Sequence, residues 1–267
     1  MEIARVAGRA FSDYAVPRRL APSDIEALVD RDDIDLGASL ALEHDGAMVG
    51  VALLARRAAK GRIAMMGIDP SLRGQGGGRL LGERAIEVLR ARGVTRIVLE
   101  VLEANDAAAA LYRSLGFRPA RRLVGRTRQD APPPPAERCA GLELAATDLA
   151  ACARALAAHG DDDLPWQLER LVSSDVTQHA FTLGGVAWAW LQTPSADAAT
   201  LRGFLVDRRW RRRGVARELL AALDDRLPGR RWDVPPLIPA GRAADRALRS
   251  VHFVPTITQT EMELIVR

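Results

Sequence analysis

The run Ile68-Asp69-Pro70-Ser71-Leu72-Arg73-Gly74-Gln75-Gly76-Gly77-Gly78-Arg79-Leu80-Leu81 decides the fold. An apolar, strand-like stretch precedes it. Leu80, Leu81, Ala85, Val88 and Leu89 follow at helical spacing, so the glycines sit where a strand turns into a helix. Such a turn aims the backbone N–H groups of the helix N-terminus at one point, which favours an anion and most often a phosphate. Small residues let a ligand approach the main chain closely. The pattern returns at Val206-Asp207-Arg208-Arg209-Trp210-Arg211-Arg212-Arg213-Gly214-Val215-Ala216-Arg217. Both copies contain Arg-x-x-Gly-x-(Gly or Ala), spanning Arg73 to Gly78 and Arg211 to Ala216. Each half of the chain is expected to hold a phosphorylated cofactor.

The loop is not a Walker motif, because no Gly-Lys-Ser/Thr follows, and its glycine spacing is not that of a dinucleotide fingerprint. The repeat divides the 267 residues into two domains, each long enough to bury its own core. The expected boundaries are 1–130 for the N-terminal domain, 131–137 for a Pro-rich linker and 138–267 for the C-terminal domain. Four consecutive prolines, Pro132 to Pro135, favour a semi-rigid extended linker.

Apolar residues make up 48%, which excludes a disordered chain. The net charge is +4, too small to indicate nucleic-acid binding, and the run of arginines at 208–213 overlaps the second loop. Cys139 and Cys152 fit no metal motif or disulfide framework, and His44, His159, His179 and His252 are scattered, so no metal is expected. The start has no apolar core of a signal peptide, and no segment approaches the roughly 18 apolar residues of a membrane span. The expectation is a cytoplasmic protein without membrane or nucleic-acid partners, a monomer or a homodimer.

In the first half, Ser23 and Glu26 read as a capping box opening a helix. Residues 40–54 read as a hairpin around Asp45-Gly46, 62–68 as a strand, 76–92 as a helix stopped by Gly93, and 95–102 as a buried strand. The second half repeats this order: a helix at 149–158, a hairpin turning at Gly184-Gly185, a strand at 200–206, a helix at 215–227 and a final strand at 256–266. Its strand after residue 232 should be poor, because Pro235, Pro236 and Pro239 remove ladder donors. Trp188 and Trp190 alternate with alanines and read as a packed sheet face.

The first half carries a second signature. Val98-Leu99-Glu100-Val101-Leu102-Glu103-Ala104-Asn105 leads into Ala109-Ala110-Leu111-Tyr112-Arg113-Ser114-Leu115-Gly116-Phe117. Strand, Arg-x-x-Gly-x-Gly, helix, followed by strand, Asn, Leu-Tyr and Gly-Phe, resembles the GNAT N-acetyltransferases. The resemblance covers both halves. It is weaker in the second, where aligning Phe253 with Phe117 puts Leu248 at the Tyr112 position, His252 at Gly116 and Gly241 at Asn105. It implies an α/β class (a mixed α+β sheet): two tandem GNAT folds, each a mostly antiparallel twisted sheet flanked by helices, with a splayed cleft for acetyl-CoA as acyl donor.

Acetyl transfer from a thioester to an amine needs a held pyrophosphate, a polarised carbonyl, a deprotonated amine and a protonated leaving thiolate. The resemblance assigns the pyrophosphate to Arg73, Gly74, Gln75, Gly76, Gly77, Gly78 and Arg79. In the second half it assigns it to Arg211, Arg212, Arg213, Gly214, Val215 and Ala216, below the strand end at Val206. Backbone of the strand ending at Ile68 would hold the acetyl and pantetheine parts, and Asn105 the end of the splayed strand. Tyr112 resembles the family's general acid, since a phenol with a pKa near ~10 can protonate a thiolate. Glu100 interrupts an apolar strand; burial raises a carboxylate's pKa, which suits a general base, with Glu103 a weaker candidate and an arginine-paired glutamate the structural alternative. Asp24, Glu26, Asp30, Asp32, Asp33, Asp35, Glu43 and Asp45 crowd one stretch, which would attract a cationic amine. The acceptor is expected to be an amine-containing small molecule or a peptide N-terminus. The C-terminal half, without a phenol, is expected to bind or to support. A CoA-binding regulatory module is the alternative for the chain.

Overall fold

The structure is a computed structural model that describes residues 2–13, 21–129, 141–171 and 178–266; the Pro-rich segment and Cys139 lie outside them. In chain order the elements are α1 (Glu2–Ala10), α2 (Pro22–Asp32), β1 (Leu40–His44), β2 (Ala47–Arg57), β3 (Lys60–Ile68), α3 (Gly77–Ala91), β4 (Arg96–Leu102), α4 (Asp106–Ser114) and β5 (Arg118–Arg128). They continue with β6 (Leu144–Thr147), α5 (Leu149–His159), α6 (Trp166–Glu169), β7 (Gln178–Leu183), β8 (Ala187–Ser195), β9 (Ala198–Val206), α7 (Val215–Arg226), β10 (Arg231–Pro239), α8 (Ala243–Ser250) and β11 (Val254–Ile265).

Two compact units emerge: unit 1 holds residues 1–121 and 260–267, and unit 2 holds 122–259. Residues 118–121 of β5 and 260–265 of β11 fall in unit 1, and residues 122–128 and 254–259 in unit 2. In unit 1 the strand order is β1-β2-β3-β4-β11-β5; in unit 2 it is β6-β7-β8-β9-β10-β5-β11. The fold class is the mixed α/β sheet flanked by helices.

In unit 1, β1 and β2 form the hairpin that Asp45-Gly46 demands, with both residues at positive φ. Strand β3 pairs antiparallel with β2 along its length but parallel with β4 in only three rows, Lys60↔Arg96, Gly61↔Ile97 and Arg62↔Val98. The register on the β2 side slips between Leu53↔Met65 and Leu54↔Ile63, which leaves Ala64 as the extra residue of a bulge. A bulge bends its strand. It falls directly after the last β3–β4 row, so β3 and β4 splay apart from there.

The core of unit 1 packs Leu81, Ala85 and Leu89 of α3 and Ala109 and Tyr112 of α4 against Ile97, Leu99 and Val101 of β4 and Met262 of β11. Helices α3 and α4 come close because residue 82 is glycine; a Cβ there would run into the side chain of Leu115. Helix α2 differs from its expected capping. Its N-cap is Ala21, Pro22 takes the first position, and Asp24 rather than Glu26 reaches back, accepting a 2.8 Å bond from the Ala21 N–H.

Unit 2 repeats the plan. Strand β9 pairs with β10 in three parallel rows, Arg231↔Ala198 to Asp233↔Thr200, and Arg202 is the bulged residue opposite β8. Strand β10 forms despite its prolines, because a register irregularity between Val234 and Ile238 absorbs Pro235 and Pro236. Trp190 is buried, and its indole covers Gly203, where a side chain would have no room. Trp188 stacks on His159 at 5.8 Å. Both tryptophans therefore serve packing.

Candidate functional site: the splayed strands and the glycine loop

Strand β3 ends at Ile68, and Asp69 begins a single 3-10 turn, Pro70–Leu72. The Asp69 carboxylate accepts from the Ser71 amide (3.1 Å) and hydroxyl (2.7 Å), and those bonds hold its pKa below the ordinary value. Arg9 of α1 pairs with it at 2.6 Å. The chain then passes Gly74 and Gly76 at φ 77° and 87°, values that L side chains rarely adopt, and enters α3 at Gly77. The first intrahelical bond runs from the Leu80 N–H to the Gly76 carbonyl. The N–H groups of Gly77, Gly78 and Arg79 therefore have no partner within the helix and point out of its positive end.

The arginines of the loop divide their work. Arg73 donates to the Ala10 carbonyl and to Asp13, both at 2.7 Å, and so ties the loop to the end of α1. Its guanidinium is thus a strut for the loop. Arg79 is exposed and reaches Ser114 Oγ at 3.0 Å, linking α3 to α4. Gln75 is exposed, and its amide lies 3.4 Å from the Ser71 carbonyl. A Cβ on Gly78 would touch Leu111 of α4, so the loop and the start of α3 lie alongside the helix that carries Tyr112.

Tyr112 is buried at 7% exposure, edge-on to Phe117 with ring centroids 6.0 Å apart. Asn105 caps α4: its Oδ1 accepts from the Ala108 N–H at 3.1 Å, so its side-chain oxygen serves the helix. The β4-facing backbone of residues 63–68 lies beyond the β3–β4 ladder. That edge has the donors and acceptors an amide-bearing arm would use.

Glu100 sits two residues past the last β3–β4 row, on the sheet face opposite α3. Its Oε2 accepts from Arg62 Nε (3.0 Å) and Nη2 (2.8 Å), and Arg62 Nη1 donates to Asp32 at 2.8 Å. Burial works against the charge on Arg62, but Glu100 and Asp32 more than offset it and raise its pKa. Asp32 is lowered: burial pushes it up, and Arg62 and Arg31 outweigh that. The pairing with arginine, the structural alternative foreseen for Glu100, is thus present, while its Oε1 is buried without a hydrogen-bond partner among the described residues. Of the acidic stretch, Asp33 pairs with Arg57 and Asp35 with Arg92. Glu26 and Asp30 line a groove of about 450 Å³ between α1 and α2, with Ile3, Pro22 and Ile25.

In unit 2 the same turn is rebuilt with different side chains. Asp207 accepts from the Arg209 amide at 2.8 Å, Arg212 occupies the Gly74 position at φ 66°, Gly214 that of Gly76 at φ 82°, and α7 starts with buried Val215, followed by Ala216. Arg211 donates to the carbonyls of Val206 and His159 and pairs with Asp161, a strut like that of Arg73. The guanidinium of Arg213 lies 5.7 Å from the Trp210 ring. Leu248 is fully buried where unit 1 has Tyr112, and the Phe253 N–H bonds the Leu248 carbonyl as the Phe117 N–H bonds that of Tyr112. Gly241 precedes α8, and its N–H bonds Asp245 at 2.9 Å.

Residues 9–117 match the Acetyltransferase (GNAT) family. That stretch of the chain is similar to the GNAT acetyltransferases. A mycothiol acetyltransferase of Beutenbergia cavernae is 47% identical over 78 residues, 29% of this chain and 26% of that relative. The chain spans well under half the length of the curated relatives it matches. Two solved structures share the fold over nearly the whole chain. A GCN5-related N-acetyltransferase from Sphaerobacter thermophilus has TM-score 0.72 and 19% identity, covering 100% of this chain and 92% of its own. A tandem GNAT protein from the clavulanic acid biosynthesis pathway has TM-score 0.65 and 16% identity, covering 98% and 94%. Among the described residues no helix is long and apolar enough to cross a membrane, and no cluster of three His, Cys, Asp or Glu could hold a metal.

Proposed function

We propose that unit 1 is an acetyl-CoA-dependent N-acetyltransferase acting on a primary amine of a small molecule or a peptide N-terminus. The observation that carries this reading is the junction of three features: the splay of β3 from β4 after Arg62, the GNAT loop at the end of β3, and Tyr112 on the helix packed against that loop. The N–H groups at the start of α3 hold the pyrophosphate. The open edge of residues 63–68 receives the pantetheine arm and polarises the thioester carbonyl. Tyr112 donates its proton to the leaving thiolate, and Glu100 Oε1 accepts the amine's proton, directly or through a water.

The acceptor side is read from charge. With Asp32, Asp33 and Asp35 engaged by arginines, Glu26 and Asp30 in the α1–α2 groove remain to attract a cationic acceptor. The relatives named mycothiol acetyltransferase make their acceptor the first amine to test. Unit 2 binds CoA without turnover or supports unit 1; the absence of a phenol at Leu248 favours this. Thiol release from acetyl-CoA, measured across a panel of amines with wild type and Tyr112→Phe, tests the proposal. Turnover that Tyr112→Phe leaves intact contradicts the assigned acid. Cofactor binding without turnover on any amine favours the regulatory alternative.

A further inference from the structure

Four neighbouring strands of unit 1, in the order β3-β4-β11-β5, carry Arg62, Glu100, Glu261 and Arg121. Residues alternate faces along a strand. Ile63, Leu99, Val101 and Met262 face the α3–α4 core, so Arg62, Glu100 and Glu261 share the other face. Arg121 joins that row by donating to Glu261 Oε1 from Nε (2.8 Å) and Nη2 (2.7 Å). The order of charges is plus, minus, minus, plus.

Each arginine takes one oxygen of its own glutamate. The remaining oxygens, Glu100 Oε1 and Glu261 Oε2, are buried without a hydrogen-bond partner among the described residues. The side chains are 5% and 0% exposed. Burial raises the pKa of Glu261 most, Arg121 opposes this, and repulsion from Glu100 adds to it. The other charged groups around the row are Asp32 and Arg31 of α2, Lys60 of β3, and the Arg96–Glu263 pair. Two buried carboxylates on neighbouring strands, each with an idle oxygen, are costly when both are ionised, and one proton removes that cost.

We infer that Glu100 and Glu261 form a single proton-binding site on the acceptor-side face of β4, and that this pair, rather than Glu100 alone, takes the proton released by the acceptor's ammonium group. The second clause rests on the proposed acetyltransferase reading; the first does not. The step balances: the N–H bond breaks, its electron pair stays on nitrogen for attack on the thioester, and the proton is held by the two carboxylates, whose joint charge falls from −2 to −1. Glu261 shares that proton with Glu100 and reaches unit 1 on β11.

Carbon-13 NMR of the full chain labelled at glutamate carboxyls, assigned with Glu100→Gln and Glu261→Gln, tests the site. The expected result is one joint titration curve of the two carboxyls, with Glu261 displaced upward. In either variant the remaining carboxyl should leave that curve, so one folded variant suffices. Independent titrations, or an unchanged curve after substitution, would overturn the pair. The pH profile of kcat/KM tests the role: its acidic limb should move down by about one pH unit in Glu261→Gln. A joint titration with an unmoved limb overturns the role. An enzyme inactive on every amine defeats the acetyltransferase reading and leaves the titration to decide the site.

Discussion

Units 1 and 2 bend the same strand in the same way and fill the bend differently. Both place one bulged residue, Ala64 or Arg202, beside the last of three parallel rows, and both close the following turn with an aspartate on a single 3-10 turn. Around the bulge, unit 1 carries Arg62, Glu100 and Tyr112. Unit 2 has Thr200 opposite Asp233 in its last row, the Pro235-Pro236 irregularity, and Leu248. Leu205 and Leu237 of its diverging strands join Trp190, Cys152 and Leu168 in one apolar cluster. Burial pushes the Cys152 thiol up to about 11, which leaves it a packing group. The turn geometry is thus common to both units, while the phenol of Tyr112 and the arginine-paired Glu100 of unit 1 have Leu248 and the Pro235-Pro236 irregularity as their counterparts in unit 2.

The comparison breaks most visibly at the proposed acid. Tyr112→Phe should lower kcat by about 10²- to 10⁴-fold with acetyl-CoA affinity unchanged, whereas Leu248→Ala in unit 2 should leave Kd and the chemistry alone. Steady-state kinetics with cofactor titration reads both. The next effect is on stability. Arg62→Met strands the buried Glu100 and leaves Asp32 with Arg31 alone, and should cost about 3–5 kcal/mol, measured by denaturant unfolding. Thr200→Val at the corresponding row should cost about 1 kcal/mol or less. Part of the Arg62 effect depends on pH. The lowered pKa of Asp32 contributes stability above its unfolded value of ~3.9 that is lost as pH falls through its lower folded value, so the gap between wild type and Arg62→Met should narrow below about pH 4.

Two smaller effects sharpen the contrast. Gly82→Val drives α3 from α4 and should cost about 1–3 kcal/mol, seen as a lower Tm. Arg212→Gly relieves a side chain at φ 66° and should stabilise unit 2 by about 0.5–1 kcal/mol, whereas Gly74→Arg should destabilise unit 1 by a similar amount.

Local signals were legible where a backbone demand needs a particular residue. The glycines at 74 and 76, the Asp45-Gly46 hairpin and the Gly93 stop all mark positive φ. The loop, the Tyr112 helix and the family resemblance could be read from them. Helix α1 was not read, because Glu2–Ala10 has no cap residue or turn signal to announce it. Neither was the Ala64 bulge, which sits in a run without glycine or proline at the slip. Ser23 reads as a cap, but proline at position 22 makes Ala21 the N-cap and starts the helix two residues earlier. Least legible was what depends on distant pairing. Strand β5 went unread, and Glu261 meets the site of Glu100 through strand order, which no local window carries.

Isothermal titration of the full chain with acetyl-CoA, comparing wild type with Gly76→Glu and Gly214→Glu, tests most directly whether unit 1 holds the working cofactor site. The account predicts binding that Gly76→Glu abolishes in unit 1, through a carboxylate at the helix entry and a side chain at φ 87°, and that persists in unit 1 with Gly214→Glu. Binding that survives Gly76→Glu and vanishes in Gly214→Glu, or no binding at all, would contradict it.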